Sequence, residues 1–149
     1  MINHRLMLNK LNYQYMLSYF GLIPYLFILI DKFFFHQIKD EIIINFSIYY
    51  TLLIFVFIGS MNWNFNKKLN FKIVIFGFFP SLISTIIIIL NLYHFNSSIL
   101  LLILIIFLLL QLILEYFILY SLTTYIHNYY LIRLPLTLSI VTVLAIIVY

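Results

Sequence analysis

Residues 99–120 read ILLLILIIFLLLQLILEYFILY, a run broken only by one amide, Gln111, and one charge, Glu115. A bilayer core needs about 20 apolar residues of helix to cross it. A helix is the form that satisfies its own backbone donors and acceptors in lipid. Four more stretches of similar length and character flank this one, at 13–30, 42–61, 73–90 and 131–149. Together the five account for nearly the whole chain. The expected fold class is therefore all-α: a polytopic membrane protein, a bundle of five transmembrane helices, with residues 1–149 as its single domain.

Composition narrows the class further. The chain is 66% hydrophobic and 8% charged, so no segment is polar and long enough for a soluble domain. It has no cysteine, which excludes disulfides, thiolate metal sites and cysteine nucleophiles. The net charge of +4 is spread over short loops and not gathered on a face, so no nucleic-acid partner is expected. Residues 1–12 are mixed polar and apolar, and no small-residue cleavage site follows the first apolar run. The N-terminus is therefore read as neither a cleavable signal nor a transit peptide. Ile occurs 29 times and Ala once, a bias toward residues with AT-rich codons. Bilayer physics does not disfavour Ala or Gly. The bias points instead to an AT-rich genome, that of an organelle or of a reduced endosymbiont.

The basic residues set an expected orientation. Arg5, Lys10, Lys67, Lys68, Lys72 and Arg133 fall on one side of a five-span chain, against Lys32 and Lys39 on the other. Basic loops stay inside. This places the N-terminus in the matrix or cytoplasm and the C-terminus on the opposite side. Three of the four acids, Asp31, Asp40 and Glu41, then occupy an outer loop at 31–41.

Glu115 is read as the one acid inside a span. An ionisable group at that depth needs a named partner. The fourth and fifth spans form a hairpin turning near residue 125, which sets Glu115 and Arg133 at similar depth on antiparallel helices. The pair reads as an intramembrane ion pair locking the hairpin; the alternative is a proton or head-group site. Trp63, flanked by Asn62 and Asn64 and followed by lysines, reads as an interfacial anchor. Pro24 and Pro80 lie too deep in their spans to be first-turn residues, so both are expected to kink their helices. Pro135 suits a first turn. Small residues suggest packing seams at Gly77, Ser81 and Ser84/Thr85 on the third span, and at Pro135, Ser139, Thr142 and Ala145 on the fifth. Tyr49 and Tyr50 lie mid-span, where their hydroxyls need partners.

No histidine lies within a predicted span, which argues against haem held between helices. His36 and His94 in outer loops are read as polar loop residues ahead of metal ligands. There is no nucleotide-binding glycine loop, metalloprotease helix or catalytic triad pattern.

Several of these residues recur together in a known family. Gly21-Leu22-Ile23-Pro24-Tyr25, the run from Tyr50 through Gly59-Ser60-Met61-Asn62-Trp63-Asn64, Pro80-Ser81, Glu115, and Tyr130-Leu131-Ile132-Arg133 with Leu136-Thr137 resemble the transmembrane protein 69-like family, inner-membrane proteins of bacteria and mitochondria. That family usually carries a His or Arg before the Trp, where Asn62 and Asn64 stand here. The resemblance implies a five-helix inner-membrane protein of alphaproteobacterial ancestry and hands over no activity. The expected function is a non-catalytic accessory subunit or assembly component of a large inner-membrane complex of the mitochondrial respiratory chain. Its partners would be other membrane subunits and lipids such as cardiolipin, with no cofactor or metal of its own. The competing expectation is a small transporter or a quinone- or lipid-handling protein that uses Glu115.

Overall fold

The structure is a computed structural model that describes residues 16, 18–60, 71–119 and 129–148. Five helical segments are long and apolar enough to cross a membrane: Ser18–Phe35, Asp40–Ser60, Val74–Leu92, Ser97–Phe117 and Tyr130–Val148. The protein is an all-α bundle of these five. Within them run α1 (Ile23–Ile30), α2 (Asp40–Ser60), α3 (Phe71–Leu92), α4 (Ser97–Leu119) and α5 (Leu134–Val148). A π-helical turn, Asp31–Phe35, extends α1, and another, Tyr129–Arg133, leads into α5.

Helix α2 is the hub. It packs on α3, α4 and α5. It also reaches the first span through Tyr50, whose hydroxyl donates to the Gly21 carbonyl at 2.8 Å. The core gathers Tyr25, Ile48, Leu52 and Phe55 from the first two spans, Ile83 and Ile87 from α3, Leu100, Leu104 and Leu108 from α4, and Ile140, Leu144 and Ile147 from α5. The opposite faces are apolar and exposed, Phe27, Phe34, Leu53 and Phe117 among them. In water such a surface would be a liability; in lipid it is the solvated one.

The first span differs from its expected course in two ways, both rooted in where it ends. It continues through Asp31 and Lys32 to Phe35, so these two charges belong to the helix and not to a loop. Asp31 is buried, and its Oδ2 accepts the Ile38 backbone N–H at 3.0 Å. Glu115 is therefore not the one acid inside a span. Pro24 is not deep in a helix either. The chain breaks at Gly21 and Leu22, where i→i−3 bonds to Ser18 and Tyr19 replace the helical ladder, and Pro24 stands in the first turn of the helix that restarts at Ile23. There its missing N–H costs little. Pro80 lies inside α3, which runs on through it, and Pro135 lies in the first turn of α5.

Lys32 explains why a charge is tolerated at the end of the first span. Its Nζ donates to the carbonyls of Ile146 and Ile147, both at 2.9 Å, in the last turn of α5. Those carbonyls have no intrahelical donors and carry the negative end of the helix dipole. Lys32→Met is expected to weaken the bundle by about 1 kcal/mol, the scale of a charge capping a helix end. Hydrogen exchange should quicken at the last amides of α5 and not at those of α2; unchanged exchange in α5 would refute the capping role.

The α3–α4 turn has a local cause. His94 adopts a left-handed conformation, φ 57°, and the Phe95 N–H returns to the Leu90 carbonyl at 3.1 Å. This is the six-to-one bond of a Schellman helix end. Asn96 then caps α4, its Oδ1 accepting from the Ser98 N–H at 3.0 Å. His36 ends the first π-helical turn in the same left-handed way, φ 52°. The two loop histidines thus shape chain reversals.

Candidate functional site

The buried stripe of α4 changes character along its length. Leu100, Leu104 and Leu108 are apolar; Gln111 and Glu115 continue the same face. Residues three and four apart share one side of a helix, so the stripe carries two polar side chains into the packed interior of the bundle. At this end α5 approaches through its π-helical lead-in, which sets Arg133 beside Glu115. Arg133 Nε donates to Glu115 Oε1 at 3.2 Å. The carboxylate side chain is 3% exposed and the guanidinium 16%.

A third group completes the arrangement. Arg133 Nη2 donates to the Ile58 carbonyl at 3.2 Å. Ile58 lies in the last described turn of α2. Ser60 Oγ satisfies the neighbouring Phe57 carbonyl at 2.8 Å. One guanidinium therefore joins the ends of α2, α4 and α5. The planar fork of Arg, with five donors, suits this geometry as a Lys ammonium would not.

Gln111 stands apart. It is 5% exposed, and among the described residues neither its Nε2 nor its Oε1 has a hydrogen-bond partner. Ser84 Oγ on α3 is likewise buried without one. Of the other buried polar residues, Asp31, Ser47, Thr51 and Glu115 are bonded. Tyr25 and Thr51 share a hydrogen bond of 2.6 Å. Thr51 in turn donates to the Ser47 carbonyl at 2.5 Å, so the Tyr25 hydroxyl is the donor of the pair. At the far end Asn91 donates to the Tyr49 hydroxyl at 2.9 Å, with Asn45 and Ser97 around it.

The predicted seams fare differently from one another. On α3 Gly77 and Ser84 are buried, Ser81 is half-buried and Thr85 is exposed; Pro80, not counted in that seam, is buried as well. Gly77 and Pro80 meet Gly59 of α2: a Cβ built on Gly59 would stand 2.6 Å from the Gly77 carbonyl oxygen and 2.8 Å from Pro80 Cγ. On α5 the buried face is Thr137, Ile140, Leu144 and Ile147. The small residues Pro135, Ser139, Thr142 and Ala145 lie off it, with Thr142 exposed. Pro135, Ser139 and Ala145 are half-buried, so the stripe lies opposite this chain's own core-facing residues. Trp63, the expected interfacial anchor, lies outside the described residues, as do Lys67 and Lys68. Among the described residues no three His, Asp or Glu side chains gather as a metal site.

Fold and site together define an integral membrane protein, all-α, with an ion pair between Glu115 and Arg133 inside its bundle. Comparison of the chain with protein-family models, with curated proteins and with solved structures gives no match.

Proposed function

We propose that this chain is a non-catalytic accessory or structural subunit, or an assembly component, of a large inner-membrane complex of the mitochondrial respiratory chain. One observation carries the reading. Lys32, Glu115 and Arg133, charges held within the first, fourth and fifth spans, bond from one helix to another, and Asp31 holds the Ile38 N–H just beyond its own span. Bonded in this way, they serve as ties within the bundle. The AT-rich composition supports an organelle-encoded origin. The small-residue stripe of α5 that faces away from the core offers a surface where a neighbouring subunit's helix can approach closely. The likeness to the transmembrane protein 69-like family belongs to the same proposal.

Native-gel electrophoresis of solubilised inner membranes, followed by mass spectrometry, tests it. Co-migration with respiratory subunits is the expected result. Migration only at the size of the lone chain would overturn it. From the basic residues the proposal also puts residues 62–72 on the matrix or cytoplasmic side and the loop after Phe35 in the opposite compartment. Protease protection in oriented vesicles, with a tag in each loop, checks this; cleavage of both tags from one side would refute it.

A second reading, a small transporter or quinone- or lipid-handling protein, draws on Gln111, a bonding group without a partner one turn from Glu115. Under it, Glu115→Gln with Arg133→Gln would recover the fold and leave the activity lost.

A further inference from the structure

We infer that Gln111 and Glu115 form a binding site for a single internal water molecule, held inside the membrane on the side of the carboxylate away from Arg133. The inference stands independently of either functional reading. It starts from Gln111, whose two polar side-chain atoms are buried without a partner. Leaving an amide so in an apolar medium costs several kcal/mol, and buried polar groups in folded proteins are nearly always satisfied.

Position selects where the partner sits. Gln111 and Glu115 are four residues apart on the buried face of α4, about 6 Å along the axis at 1.5 Å per residue. They make no direct bond to each other. Glu115 Oε1 is engaged by Arg133 on the α5 side. A carboxylate has about four acceptor sites, so capacity remains toward Gln111.

Chemistry selects what the partner is. The amide offers an N–H and needs an O–H, so its partner must both accept and donate. Water does both: it accepts from Gln111 Nε2, donates one hydrogen to Gln111 Oε1 and the other to the Glu115 carboxylate. That makes three hydrogen bonds, the usual number for a buried water. A quinone carbonyl or a phosphate ester only accepts, and either would leave the Gln111 oxygen unsatisfied. An ion is disfavoured because the Glu115 charge is already matched by Arg133, and a further charge would enter unpaired. Gln111 and Glu115 are also 5% and 2% exposed, which leaves no opening for a bulky molecule.

The test uses the full chain in proteoliposomes, with 15N in glutamine side chains and 13C in glutamate, arginine and leucine, and solid-state NMR that transfers magnetisation from water. Gln111 Nε2 is expected to gain signal at a rate comparable to that of Gln37, which is exposed beyond the first span. A Gln111 signal that lags to the rate of the core leucine methyls would overturn the inference, and this measurement needs no variant. Gln111→Leu should then reduce transfer to the Glu115 carboxyl several-fold while the Glu115–Arg133 carbon cross-peak persists. Transfer to Glu115 that is unchanged in that variant would show its hydration to come from elsewhere and would also refute the bridge.

Discussion

Replacing Arg133 by Gln is expected to destabilise the bundle by about 3–5 kcal/mol, the usual result of removing one partner from a buried ion pair. The cost has two sources. Glu115, 3% exposed, would be left without its counter-charge, and the Ile58 carbonyl would lose the guanidinium N–H that it accepts. Glu115→Gln should cost less, because a neutral amide can still accept from Arg133 while the guanidinium keeps its bond to Ile58 and its partial exposure. The double change, Glu115→Gln with Arg133→Gln, should be more stable than Arg133→Gln alone, since it strands no charge. Equilibrium unfolding in mixed micelles measures all three. Additive losses would show that the two side chains do not act as a pair.

Gly59→Ala should be the most damaging single-methyl change in the protein, at about 1–3 kcal/mol, the range for overpacking a filled core. The new Cβ would lie 2.6 Å from the Gly77 carbonyl oxygen and 2.8 Å from Pro80 Cγ. Neither neighbour is the free end of a flexible chain. One is backbone within α3 and the other belongs to a rigid ring, so the two helices must move apart. Gly21→Ala provides the comparison: its Cβ would meet the Ser18 carbonyl at 3.2 Å, a contact that a small shift relieves. Its loss should be clearly smaller in the same unfolding measurement. Equal losses would mean that close approach at Gly59 is not what holds α2 against α3.

Which parts of this arrangement can be read from the chain follows from how local their causes are. The five spans rest on length and apolarity, which need no partner. The Glu115–Arg133 contact is within reach of counting residues from a hairpin turn. Its third member, the Ile58 carbonyl, is not, because a backbone atom leaves no mark in a sequence. The course of residues 31–35 is misjudged from composition because Asp31 and Lys32 look like a span's end. Their side chains instead find the Ile38 N–H and the α5 carbonyls, and the three phenylalanines that follow carry the helix outward. Pro24 and Pro80 show the same limit. Phe20-Gly21-Leu22-Ile23-Pro24 echoes Phe76-Gly77-Phe78-Phe79-Pro80, yet the first breaks its helix and the second sits in a continuous one. What separates them is tertiary: the Tyr50 hydroxyl occupies the Gly21 carbonyl, whereas Gly77 and Pro80 are packed under Gly59.

The bonds from the first span to the fifth have a consequence for biogenesis. Tyr19 reaches the Leu131 carbonyl near one membrane surface, and Lys32 reaches Ile146 and Ile147 near the other. The first and fifth spans thus lie side by side, running in parallel. Until the fifth span is made, Lys32 has no acceptor at the end of α5, and the first span must wait with its charge in the head-group layer. Closure of the bundle therefore waits on synthesis of the fifth span. An insertase or chaperone that retains the first span through synthesis of the other four would act at the step most exposed to error.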